Sequence, residues 1–199
     1  MSGRLDRRRV TAALLADRHD LLVVAGLGAP AWDVTAAGDH DLTFPLWGAM
    51  GGAAMIGLGL ALAQRERRVL VVTGDGEQLM GLTALATIAS ARPLNLGIAV
   101  LDNERYGETG MQLSATATGT DLAAVASACG FPAATTVTDE PDVPSAVDLL
   151  RRAPGPALVV FKVSSDVPPQ VVPPRHGPAL VERFRAALAP STSASGDVG

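Results

Sequence analysis

The sequence predicts an α/β fold, a doubly wound and mostly parallel sheet with helices on both faces, and three observations carry that prediction. Short apolar runs such as Val69 to Thr73 and Leu96 to Leu101 have the length and β-branched content of buried strands. Longer segments with helical spacing separate them, so strand and helix alternate along the chain. Gly-Asp-Gly at 74–76 and Asp-Asn at 102–103 place turn residues directly after two of those strands, on the edge where open parallel sheets bind their ligands.

A helix is expected near 5–17, a strand at 21–25, a loop with a short helix to 38 and a strand near 42–44. Residues 42–64 hold 23 positions without a charge, enough to raise a membrane span. Pro45 interrupts the run, however, and its glycines at 48, 51, 52, 57 and 59 suit a helix packed closely on a sheet. Arg65, Glu66, Arg67 and Arg68 then lead straight into the strand at 69–73, so a buried helix of a soluble protein is the expectation. Glu77 to Ala91 reads as one helix and Leu96 to Leu101 as the next strand. A right-handed crossover brings both strand ends to one edge. Beyond them lie a loop from 104 to 119, a helix at 121–129, a strand near 133–137, a helix near 143–152 and a strand at 157–163. A proline-rich connection at 164–178 and a helix at 179–188 complete a single domain over 1–189, and 190–199 reads as a disordered tail.

Composition narrows the function classes. The 199 residues, 48% apolar and 18% charged with a net charge of −4, describe a soluble cytoplasmic protein with neither a nucleic-acid footprint nor a membrane anchor. Arginines at 4, 7, 8 and 9 precede too short an apolar stretch for a signal peptide and read as the start of an amphipathic helix. The single Cys129 excludes an internal disulfide, and with three histidines it gives no support to a zinc site.

The chemistry is concentrated at the two strand ends. With 25 residues (77 to 101) between Gly76 and Asp102, Asp75 and Asn103 meet at the tips of adjacent strands. Gly74 and Gly76 let the backbone turn sharply and approach a ligand, and the following helix offers unpaired N–H groups and its positive dipole end to phosphate oxygens. One carboxylate and one amide form the kind of side-chain set that magnesium accepts when phosphates, carbonyls and water complete the octahedron. A magnesium diphosphate site is therefore expected, against the plainer alternative of two ordinary turns. Gly26-Leu27-Gly28 imitates a dinucleotide fingerprint, but the acidic residue required about twenty positions on is missing, since Pro45, Leu46, Trp47 and Gly48 fill that window.

The stretch GDGEQLMGLTALATIASARPLNLGIAVLDNERYGETGMQ resembles the cofactor-binding domain of thiamine diphosphate enzymes. It is most similar to the short subunits or C-terminal halves of sulfopyruvate and phosphonopyruvate decarboxylases, and the resemblance runs from about Val23 to Phe184. It implies that Asp75, the Asn103 side chain and the main-chain carbonyl of Arg105 hold magnesium. Main-chain groups around Gly76, Glu77, Gly107 and Glu108 would line the diphosphate. Leu46 to Gly51 resembles the segment that supports the bent cofactor, with the Gly48 carbonyl accepting from the 4'-amino group and Met50 wedged between the rings. Glu77 is a departure, because family members often carry a small hydroxyl residue there. A carboxylate beside a polyanion should point away or be offset by the metal.

The same resemblance implies a partner. Thiamine diphosphate is activated in this family by a glutamate from a separate pyrimidine-binding domain, and here no glutamate precedes Glu66. Those at 77, 104, 108, 140 and 182 lie in elements of the diphosphate-binding domain. An alpha-type subunit carrying the pyrimidine domain is implied, giving a hetero-oligomer in which this chain alone is inactive. The implied reaction is decarboxylation of a small 2-oxo acid. Alternatives are a carboligase or oxidoreductase subunit, or a non-catalytic module of the same fold. Relatives read roughly GDRP, GSMGxASS and STGGQ where this chain has Gly38 to Asp41, Gly48 to Met55 and Glu108 to Gln112. The lost hydroxyls and positive charge argue against a strongly anionic substrate unless the partner supplies those groups. His40 reads as a surface-loop residue or a group acting near the cofactor, while Tyr106 and Gln112 sit in a loop that borders the active site in relatives, where their side chains either face substrate or only pack.

Overall fold

Local signals start the helices. Asp6 accepts hydrogen bonds from the N–H groups of Arg8 and Arg9 and opens α1 (Arg7–Leu15), and Asp121 does the same for a later helix through Ala123 and Ala124. The chain continues through β1 (Leu22–Ala25), α2 (Ala29–Ala36), β2 (Thr43–Pro45), α3 (Ala53–Ala63), β3 (Val69–Gly74), α4 (Asp75–Met80), α5 (Ala84–Ala91) and β4 (Leu96–Asp102). There follow β5 (Arg105–Tyr106), β6 (Gln112–Leu113), α6 (Leu122–Cys129), β7 (Ala133–Val137), α7 (Val143–Arg152), β8 (Ala157–Lys162) and α8 (Gly177–Leu188). This computed structural model describes residues 4–189, so the expected tail at 190–199 lies outside the described residues.

Six strands pair in parallel in the order β2-β1-β3-β4-β8-β7, the doubly wound architecture expected from the alternation. Every residue of β4 is buried, which is why its sequence reads as a continuous apolar run rather than an alternating one. Two cores flank the sheet. One sets Leu58, Leu85, Ile88 and Leu122 of α3, α5 and α6 against Val71, Ile98 and Leu158, and the other sets Leu14, Val34 and Leu150 of α1, α2 and α7 against Val23, Leu70 and Phe161. Glycine makes the closest of these contacts possible, because a Cβ on Gly57 of α3 would lie 2.2 Å from Cγ2 of Val71. On the outer edge, Phe184 of α8 meets Phe44 of β2 with ring centroids 5.4 Å apart. Below the sheet, Arg68 ties β3 to its neighbours by donating to the carbonyls of Leu150 at 2.8 Å, Ala153 at 2.7 Å and Leu94 at 3.1 Å.

Two expectations are corrected. The single helix expected over Glu77 to Ala91 is two, broken at Gly81, because the backbone there packs against the loop before α3. A Cβ on Gly81 would lie 2.3 Å from the Gly51 carbonyl oxygen. The region 104–119 is not a plain loop but contains the antiparallel hairpin β5–β6. Among the described residues no helix is long and apolar enough to cross a membrane. The strand order steps away in both directions from the β1–β3 pair, and such a switch point opens a crevice at the carboxyl ends of the strands.

Candidate functional site

β3 ends at Gly74, and α4 begins at once with Asp75, with no side chain capping its first turn. Asp75 is only 2% exposed. The Ser114 hydroxyl donates to its Oδ2 at 2.5 Å, and Thr116 lies 3.4 Å from the same oxygen while donating to Asp102 Oδ1 at 2.8 Å. Two buried carboxylates thus share one pair of hydroxyls. Burial pushes the pKa of Asp75 up to about 6, with the Ser114 hydrogen bond opposing and the Asp102 charge reinforcing the shift. Asp102 has a cation of its own, since Lys162 Nζ sits 2.7 Å from its Oδ2 and 3.0 Å from Glu104 Oε1, and Arg4 closes the network on Glu104 at 2.5 Å. Asp75 has none.

Asn103, one residue past β4, accepts from the Arg105 N–H at 3.0 Å and shapes the turn into β5. The Tyr106 ring lies over Gly76, where a Cβ would come within 2.6 Å of Cδ1 and Cε1. The tyrosine is therefore a packing group, and Gly76 is the position that makes room for it. Glu77 is 3% exposed and turned from the helix axis toward β1. Its Oε2 accepts from Thr73 at 2.7 Å and fills the space above Gly26, where a Cβ would lie 1.9 Å away. Burial raises its pKa, and Thr73 together with the amides of Ala53, Leu27 and Gly51 pulls it back. Those amides act as nearby dipoles, for Oε1 has no hydrogen-bond partner.

A cavity of about 530 Å³ lies over these strand ends. Gly74, Asp75, Gly76, Glu77, Asn103, Arg105, Gly107 and Glu108 all line it, as does Met50 from the loop before α3. Of the residues expected at the site, Gly48 alone is not on the wall. It sits in the exposed turn Trp47 to Met50, where Ala49 takes a left-handed conformation at φ 59°. Gln112 lines the rim and is paired with Thr109 through bonds of 2.9 and 2.7 Å. His40 is not on the wall, and its Nδ1 accepts from the Leu42 N–H at 3.0 Å. The Gly26 to Ala31 loop does reach the cavity, through Leu27, Ala29 and Pro30.

The structure adds wall residues that the sequence did not single out. Arg7 and Trp32 come from α1 and α2, and Ser165, Asp166, Val167 and Gln170 from the proline-rich connection. Arg7 and Arg8 both pair with Asp33, at 3.0 and 3.2 Å, and Arg8 also donates to the Pro169 carbonyl, holding that connection down. Nothing in the local sequence signals this, because Asp33 lies 25 residues from Arg8 and Pro169 lies 161 residues from it. Burial raises the pKa of Glu108, with Arg7 pulling it back.

The donor set suits a divalent ion with oxygen ligands. Among the described residues there is no cluster of three His, Cys, Asp or Glu side chains able to hold a metal alone. Asp75 is instead a buried carboxylate with no cation among the described residues, on the same cavity wall as Asn103.

The comparison with known families decides the assignment. Residues 30–161 match the model described as thiamine pyrophosphate enzyme, C-terminal TPP binding domain. The chain belongs to the thiamine pyrophosphate enzymes. Within that family it is 39% identical over 169 residues to the phosphonopyruvate decarboxylase of Streptomyces viridochromogenes, covering 84% of this chain and 42% of that protein. It is 46% identical over 123 residues to the sulfopyruvate decarboxylase subunit beta of Methanothermobacter thermautotrophicus, covering 62% of this chain and 63% of that one. The chain therefore spans less than two thirds of either relative. The crystal structure of benzoylformate decarboxylase from Polynucleobacter necessarius shares the fold, with a TM-score of 0.67 at 20% identity over 83% of this chain and 34% of that one.

Proposed function

We propose that this thiamine pyrophosphate enzyme chain is the cofactor-binding, beta-type subunit of a magnesium-dependent 2-oxo acid decarboxylase of the cytoplasm. It works with an alpha-type partner that carries the pyrimidine-binding domain. The observation that carries the reading is the buried, cation-less carboxylate of Asp75 on the same cavity wall as Asn103. Asp75, the Asn103 amide oxygen and the Arg105 carbonyl hold magnesium. The free N–H groups at the start of α4 and the backbone of Gly107 and Glu108 receive the diphosphate. Met50 supports the rings from the opposite rim, and the Gly48 carbonyl meets the aminopyrimidine only if the Trp47 to Met50 turn closes inward. When bound, thiamine diphosphate supplies the nucleophile and electron sink that decarboxylation of a 2-oxo acid requires.

The partner follows from what this cavity lacks. Its two wall glutamates stand away from that role, Glu77 bonded to Thr73 in the space above Gly26 and Glu108 on the exposed turn next to the start of α2. In this reading the activating carboxylate belongs to the pyrimidine-binding domain of the alpha-type partner. Exposed Trp47, Met50, Met55, Ile56 and Met80 give that chain an apolar surface to cover beside the cavity. Calorimetry with magnesium and thiamine diphosphate tests the reading, with and without a candidate alpha subunit. Asp75→Ala abolishes magnesium-dependent binding, and turnover appears only when both subunits are present. Turnover of a 2-oxo acid by the purified single chain overturns the partner assignment.

A further inference from the structure

Arg7 is 8% exposed, yet its guanidinium lies on the wall of the cavity. Its Nε is 3.0 Å from Asp33 Oδ2, in an alignment that makes no hydrogen bond. Among the described residues its terminal nitrogens have no protein acceptor. A guanidinium has five donors, and burying it with most of them unmet is costly unless something else meets them. Charge points the same way. Asp33 carries one negative charge against two arginines, and Arg8 also has the Pro169 carbonyl, so the cluster has one cation in excess, on the cavity side.

The surroundings of Arg7 are built to receive an anion. Across from it, α2 begins at Gly28 with φ 77° and no side-chain cap, leaving its first N–H groups and positive dipole end open. The group that stands there is Glu108. A Cβ on Gly28 would lie 2.8 Å from its Oε1, and Arg7 is the one charge that draws this carboxylate. Glu108 itself is exposed, on the short turn Gly107–Thr109, and is free to leave.

We propose that Arg7 is the oxyanion receptor of the cavity, and that Glu108 holds its place until a phosphoryl or carboxylate group of the ligand displaces it. This rests on the cavity being the cofactor site proposed above. The oxyanion has two possible sources, the diphosphate of the cofactor or the acidic group of the substrate. Either way, Arg7 supplies from α1 a positive charge on the cavity wall, in addition to Arg105, whose guanidinium donates to the Met111 carbonyl.

Calorimetric titration of the full chain separates the possibilities with two probes, magnesium pyrophosphate alone and methylphosphonate in the presence of saturating magnesium thiamine diphosphate. Loss of a charge-assisted bond in Arg7→Gln weakens the affected probe about tenfold or more. Weakening of pyrophosphate assigns Arg7 to the cofactor end, and weakening of methylphosphonate alone assigns it to the substrate end. Glu108→Gln changes affinity in the opposite direction, tightening the same probe, which a merely structural role for Arg7 does not produce. It also leaves the Asp33 cluster intact if Arg7→Gln fails to fold. If neither variant moves either probe by more than about twofold, or the wild-type chain binds neither, the assignment is overturned. Asp75→Asn serves as the control. Loss of magnesium dependence there with Arg7 inert removes only the receptor role, whereas indifference of both variants removes the site reading as well.

Discussion

Replacing Asp75 by Asn should stabilise the isolated chain while abolishing the magnesium-dependent binding proposed above. The carboxylate is buried, has no cation and sits beside Asp102, and its pKa is raised from 3.8 to about 6. A rise of roughly two units corresponds to about 3 kcal/mol by which the ionised form is disfavoured on folding. Because the folded pKa is the higher one, this penalty is complete above about pH 6, shrinks as pH falls between 6 and 3.8, and is gone below that window. Asparagine keeps an oxygen for Ser114 and removes the charge. Thermal melts of the two proteins at pH 7.5 should therefore differ by about 6–12 °C in favour of the variant, at roughly 2–4 °C per kcal/mol for a domain of this size. At pH 4.5 the gap should fall to about a third, near 1 kcal/mol. Magnesium with thiamine diphosphate should raise the wild-type melting temperature and leave the variant where it is. A variant that melts below wild type at pH 7.5, or that retains the magnesium-dependent rise, refutes the claim that this carboxylate is held in readiness for a cation.

Three further predictions rest on single contacts. Gly81→Ala should lose about 2 kcal/mol or more in urea unfolding, because its Cβ meets the Gly51 carbonyl at 2.3 Å and backbone atoms cannot step aside cheaply. Lys162→Met leaves Asp102 buried without its cation and should lose about 3–5 kcal/mol, with unchanged stability counting against the network. Gly26→Ala puts a methyl group 1.9 Å from Glu77 Oε2 and should drive that carboxylate toward the cavity. The expected readout is weaker binding of magnesium pyrophosphate in calorimetry with little change in circular dichroism.

The sheet was legible because its central strands are buried on both faces and so read as uninterrupted apolar runs, β3 and β4 most clearly. The cavity wall was legible where it is made of residues that closely follow a strand, as with Gly74 to Glu77, Asn103 and Arg105 to Glu108. What escaped the reading depends on contacts between distant segments. The break at Gly81 is imposed by Gly51, thirty positions earlier, on a segment whose own composition favours an unbroken helix. Arg7 reaches the wall only because Leu5 pairs with Val163 beyond the end of β8, which docks the start of α1 beside the cavity. Ser114 and Thr116 carried a weak signal, two hydroxyl residues shortly after the Asp-Asn turn, but only the return of the hairpin shows that they serve Asp75 and Asp102.

That return has a consequence for how such chains diversify. The hairpin β5–β6 forms part of the rim, yet its far end is fastened through Ser114 to the same Asp75 oxygen that faces the strand tips. Lengthening or swapping the segment between Tyr106 and Leu113 to reshape the rim will therefore tug on the carboxylate at the floor. The shape of the rim and the setting of Asp75 are mechanically linked here, so engineering one calls for a compensating change at Ser114 or Thr116.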